Sequence, residues 1–188
     1  MKTVILAMIL MMGFTSLGQE INIFKESTVD AKKLQKFAVQ IDSAYVVEVP
    51  NKSAIEIFQM VEIAVASQWV NPDEVISGKL EGKYLKINGG GPSIGLTMLG
   101  TPYYYSSVLR YHFKFKDGKF MYEVEALTRV PASQYSSGGL YPTFLTTHNK
   151  RGVEDKLSTR SISSINYQIN SFISSIINGV EESEDESW

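Results

Sequence analysis

Hydrophobic and polar positions along this chain fall into patterns that predict a strand, a helix, four strands and a second helix. Tyr45-Val-Val-Glu-Val49 is β-branched and bounded by Pro50, which predicts a short strand. Ser53-Ala-Ile-Glu56 then has the spacing of a capping box, with Ser53 and Glu56 each satisfying the other's backbone N–H. Behind it Ile55, Phe58, Glu62, Val65 and Trp69 recur at three- and four-residue steps, a helix stripe ended by Asn71-Pro72. Val75–Leu80 and Lys83–Asn88 read as two strands about a Glu81-Gly82 turn, and residues 89–105 as an irregular stretch.

The sharpest pattern follows. Val108–Lys116 and Lys119–Leu127 flank Asp117-Gly118, a two-residue hairpin loop that fixes partners at numbers summing to 235. Phe115, Phe113, Tyr111 and Leu109 then face Phe120, Tyr122, Val124 and Ala126 on one side. On the other side Lys114, His112 and Arg110 face Met121, Glu123 and Glu125. A slip of one residue would put the aromatic ladder into water, so this register is strongly specified. Residues 131–152 show no period and read as a long loop. Ile162, Ile165, Ile169, Phe172, Ile173 and Ile176 form a last helical stripe, with Gly179 where a helix would end. The two apolar stripes need a partner, which the aromatic side of the hairpin supplies. The expected fold is α+β: two layers, β-α-β-β-β-β-α, both helices on one face of a mostly antiparallel five-stranded sheet in a single domain, residues 45–179.

The chain's first 18 residues have a different pattern. Lys2, an apolar run from Val4 to Met12 and a small residue at Gly18 match a secretory signal peptide, with the mature chain beginning near Gln19. The run is too short for a permanent span of about 20 residues. With no cysteine there is no lipid anchor, no disulfide and no thiolate chemistry. The expected location is therefore periplasmic or extracellular, with no membrane span after cleavage. Residues 19–44 read as an N-terminal extension or linker, in which Leu34, Phe37 and Ile41 have helical spacing.

Without Lys2 the chain has 17 basic and 20 acidic residues, and five of those acids lie in the last eight. The body, residues 19–180, is then near neutral at +2, which lacks the basic excess that nucleic-acid binding requires. Residues 180–188 read as a solvated acidic tail.

Two segments and the order of elements carry a resemblance. VISGKLEGKYLKINGGG and YHFKFKDGKFMYEVEAL, with the Ser53–Trp69 helix and its Asn71-Pro72 end, resemble a Bacteroidetes family of exported proteins. That family is described as a domain of unknown function with a TBP-like (TATA-binding-protein-like) fold. The resemblance covers Tyr45 to Leu127 and departs at the three glycines after Asn88 and at the 131–152 segment. It implies fold and compartment and carries over no catalytic residue; a TBP-like fold does not imply DNA binding, because function resides in sites.

Candidate chemistry is sparse. Gly89-Gly90-Gly91 lacks the lysine and serine or threonine of a phosphate loop and reads as a strand connection. His112 is expected to pair with Glu123 across the hairpin, and His148 has no second ligand at zinc spacing. No Gly-x-Ser-x-Gly elbow occurs. No catalytic residue, metal site or cofactor is therefore expected. Tyr103, Tyr104 and Tyr105, with Tyr135 and Tyr141, place aromatic rings on two irregular segments, and with His112 they are the candidate ligand-binding residues. Their plain alternative is packing over a sheet edge. The favoured expectation is an exported non-enzymatic binding module of the cell envelope, partnered by a small molecule, glycan or envelope protein. The alternatives are an assembly partner using a free sheet edge or the acidic tail, and a hydrolase built from the long loops.

Overall fold

A computed structural model of the chain describes residues 24–27, 36–39, 44–98, 100–133, 137–146, 148 and 153–185. The expected signal peptide, residues 1–18, and Tyr135 lie outside these residues.

The predicted helix is α1, Ala54–Gln68, and its capping box is formed as expected. Ser53 N–H donates to Glu56 Oε2 at 2.7 Å, and Glu56 N–H donates to Ser53 Oγ at 3.3 Å. The Ser53 N–H, and the Ser53 hydroxyl that also donates to Glu56 Oε2 at 2.7 Å, hold the Glu56 carboxyl below its usual range. The buried face is Ile57, Phe58, Val61, Ala64 and Val65, however, and not the stripe through Ile55 and Glu62. Glu62 instead meets Lys79 at 2.7 Å on the half-exposed flank. One turn of helix, α2 (Pro72–Val75), precedes the strand pair.

Ten strands are described. The central sheet holds β3 (Tyr45–Glu48), β4 (Ile76–Leu80), β5 (Tyr84–Gly90), β7 (Thr101–Lys116) and β8 (Lys119–Val130). Their spatial order is β3-β8-β7-β5-β4, every neighbour antiparallel, so the expected five-stranded core is present. The β7–β8 register is the one the Asp117-Gly118 loop requires, from Ser106↔Arg129 to Lys116↔Lys119. Gly118 takes φ +75°, and Asp117 does more than turn the chain. Its Oδ1 accepts the Ala54 N–H at 2.8 Å, and Gly118 exchanges backbone bonds with Val49 and Lys52. The hairpin tip is thereby tied to the start of α1.

On the covered face Tyr111, Phe113, Phe115, Phe120, Tyr122, Leu109, Val124 and Ala126 are all buried. The last helix, α3 (Lys156–Asp185), presses Ile165, Ile169, Phe172, Ile173 and Ile176 onto the same core, as its stripe predicts. Phe172 meets Trp69 and Tyr111 edge-on at 5.0 and 5.1 Å, so both helices converge on the ladder.

The structure corrects several expectations outside this core. Residues 89–105 are not irregular. β5 continues through Gly90, and β6 (Ile94–Met98) forms a hairpin with the first residues of β7, turning near Gly100 at φ +83°. The 131–152 segment contains β9 (Gly139–Pro142), paired to the end of β8, and β10 (Phe144–Thr146). The expected linker contains β1 (Phe24–Ser27) and β2 (Lys36–Val39), which join β10 in a second, three-stranded sheet. Phe37 is thus in a strand, while Leu34 and Ile41 lie outside the described residues. Finally, α3 does not stop at Gly179. Its backbone stays helical into the acidic tail, to Asp185.

Candidate functional site

Because β7 and β8 are long, the sheet has two ends with different neighbours. At one end β5 and β3 flank the hairpin; at the other β6 pairs with Thr101–Tyr105 and β9 pairs with Leu127–Val130. This second end carries the predicted tyrosines. Tyr103, Tyr104 and Tyr141 are 41, 65 and 45% exposed, and Tyr105 is half-buried. Tyr141 is level with Thr128 of β8 and, one strand on, with Ser107 of β7. By strand alternation Tyr103, Tyr105 and Tyr141 belong to one face and Tyr104 to the other. Tyr141 is two strand spacings, about 10 Å, across from Ser107, and Tyr105 and Tyr103 lie about 7 and about 13 Å further along β7. The expected cluster is therefore divided: Tyr103, Tyr105 and Tyr141 share a face, and Tyr104 covers Gly95 on the reverse. Beside them the β8–β9 connection encloses an open groove of about 470 Å³, lined by Arg129 and Leu140 among others.

Position of this end depends on α3. Asp155 precedes the helix, accepts the Leu157 and Ser158 N–H groups at 3.1 and 3.4 Å, and also accepts the Thr97 N–H at 3.2 Å. Burial alone would push its carboxyl up, but the bonds from Thr97 and Ser158 outweigh that and hold it below its ordinary value. Buried Ser161 accepts the Gly95 N–H at 2.9 Å, and its single hydroxyl proton is shared between Leu157 O at 2.8 Å and Gly95 O at 3.1 Å. These side chains occupy the backbone groups of β6 that another strand would otherwise pair, which closes that edge.

His112 lies elsewhere, on the open face of the central sheet between Lys86 and Glu123. Partial burial, then Lys86, lower its pKa, while Glu123 opposes them. Glu123 faces His112 across the hairpin as expected, and its carboxylate also meets Lys114 Nζ at 3.9 Å. Arg110 donates to Glu125 at 3.0 Å and to Asn88 Oδ1 at 3.1 Å. His148 bridges Glu154 far along the chain from His112. The structure thus separates His112 from every tyrosine at the far end. Among the described residues no three His, Asp or Glu side chains gather as a metal site. No described helix is long and apolar enough to cross a membrane.

No protein-family model matches this chain, and no curated protein matches it. Two solved structures are similar in shape. One is a TBP-like protein from Parabacteroides distasonis, with 11% identity, 80% of this chain and 95% of that chain covered, and a TM-score of 0.48. The other is a DUF4468 family protein from Bacteroides ovatus, with 12% identity, 77 and 88% covered, and a TM-score of 0.41. These are the fold name and the bacterial group to which the sequence resemblance pointed.

Sequence reasoning passed over a second groove, of about 500 Å³, between the end of α1, the β5–β6 connection and the outer face of α3. Gln68, Pro92, Arg160, Tyr167 and Gln168 line it. Two of the three glycines beside it sit where no side chain fits. A Cβ on Gly89 would run into the Trp69 indole, and one on Gly91 into the Ser107 hydroxyl and Leu109. Gln168 Nε2 then donates to Gly90 O at 2.9 Å, tying helix to strand. The only sequence signal for this groove is the spacing of Arg160, Ser164, Tyr167 and Gln168 along one polar helix face.

Proposed function

We propose that the protein is an exported, non-enzymatic binding module of the cell envelope, and that its ligand lies against the tyrosine-bearing end formed by β6, β7, β8 and β9. The observation that carries this reading is the exposure of Tyr103 and Tyr141 on one face of paired strands, with Tyr104 exposed on the reverse. A tyrosine held rigidly offers contact area and a hydroxyl at small entropic cost, which suits recognition of sugars or peptides. The export half of the reading rests on the pattern of the first 18 residues. Neither groove is lined by a histidine or a carboxylate, so neither offers the acid–base pair that a loop-built hydrolase needs.

The test is a titration of the ¹⁵N-labelled protein with soluble cell-wall fragments, which present both sugar and peptide. Shifts at Tyr103, Tyr105 and Tyr141, lost in a Tyr103→Ala/Tyr141→Ala variant that keeps its spectrum, are expected. A saturating titration that moves no signal at this end contradicts the proposal. The export half is checked by fractionating cells that produce the full chain: a mature N-terminus near Gln19 outside the cytoplasm is expected, and an uncleaved cytoplasmic chain contradicts it.

A further inference from the structure

The α3 groove lies apart from the tyrosine-bearing end and has chemistry of its own. Its walls come from three elements held in fixed relation by the Gln168–Gly90 bond and by Trp69 seated on Gly89. Its size, about 500 Å³, falls within the range of small-molecule sites, roughly 300–1,000 Å³. Tyr167 stands 76% exposed on its rim, so its ring face is free to stack on a ligand. Between Tyr167 and Arg160 the lining is serine and glutamine. Such groups both donate and accept, as sugar hydroxyls do.

Arg160 is the only charge in this lining, and among the described residues no carboxylate forms an ion pair with it. A guanidinium matches a planar carboxylate with two parallel hydrogen bonds. Along the helix Arg160 and Tyr167 are about 10 Å apart at 1.5 Å per residue. One sugar ring can therefore lie on Tyr167 while a neighbouring ring presents its acid group to Arg160. With no acidic side chain in the lining, the groove has no pair of carboxylates to cleave a glycosidic bond.

We infer that the groove between α3, the end of α1 and the β5–β6 connection binds a carboxylated oligosaccharide, stacked on Tyr167 and anchored by its acid group on Arg160. The ligand is bound and released unchanged.

Tri-galacturonate and neutral maltotriose, titrated separately into the full-length ¹⁵N-labelled protein, test this. Tri-galacturonate is expected to shift signals of Arg160 through Gln168, with maltotriose at least about tenfold weaker. Arg160→Gln should abolish that preference, and Tyr167→Ala should remove binding of both sugars. Both side chains are exposed, so both variants should keep the parent spectrum. Equal affinity for the two sugars, or an Arg160→Gln variant that binds as the parent does, overturns the inference. Shifts confined to Tyr103–Tyr105 and Tyr141 also overturn it, while leaving the proposed tyrosine surface standing.

Discussion

Tyr111 and Tyr103 lie eight residues apart on one strand, on the same side by alternation, and have opposite fates. Tyr111 is fully buried under Trp69 and Phe172, its hydroxyl without a partner and its ionisation suppressed by burial. Tyr103 stands 41% in water. The residue type is the same; the cover is not. At one end of the sheet both helices lay side chains over the aromatic ladder, while at the other α3 lies along β6, with Asp155 and Ser161 bonded to its backbone and Tyr103 left uncovered. One end therefore carries stability, and the other presents surface. Burial here is decided by which element lands on a strand, not by the strand's own alternation.

Substitutions should separate the two ends. Phe113→Ala, within the ladder, should cost about 3–5 kcal/mol by chemical denaturation, as removal of a large buried ring does. Tyr104→Ala should cost less than about 0.5 kcal/mol in the same assay. Comparable losses would break the comparison. Gly89→Ala, still on the stable end, should cost about 1–3 kcal/mol, because Trp69 must move. The unfolding midpoint should fall with the Trp69 emission changed, and an unaltered emission maximum would argue against that contact.

Asp155→Asn should lower stability by about 1 kcal/mol at neutral pH through the weakened cap and the β6 edge. Its pH dependence provides a second check. The Asp155 carboxyl is held below its ordinary value, so its contribution is present above about pH 4, the unfolded value, and is lost as pH falls through the lower folded one. The variant's stability should thus decline less between pH 5 and the acid limit than the parent's; parallel curves contradict this. Tyr111→Phe should have the smallest effect: neutral, or stabilising by about 1 kcal/mol, since it removes a buried hydroxyl that has no partner. A clear loss would mean that the hydroxyl is bonded.

Much of the stable end was legible in the sequence. Asp117-Gly118 and the alternation either side set the register, and Ser53 with Glu56 marked the start of α1. The buried face of α1 was not, because Ile55, Ile57, Phe58, Val61 and Ile63 surround the helix and more than one stripe fits them. The tyrosine end was harder still. Tyr103-Tyr-Tyr105 follows Pro102 with no alternation, and short β6 and β9 gain their form from pairing with strands already in place. Asp155, Ser161 and Gln168 reach across 58 to 78 residues, so no local pattern announced the edge closure or the α3 groove.

The most direct test of the division between a stable end and a presenting end is one variant carrying Tyr103→Ala, Tyr104→Ala and Tyr141→Ala. Its ¹H–¹⁵N spectrum and denaturation midpoint should be read beside its titration with cell-wall fragments. The account predicts a dispersed spectrum, a midpoint close to the parent's and lost binding. An unfolded variant, or a folded one that binds as the parent does, would contradict it.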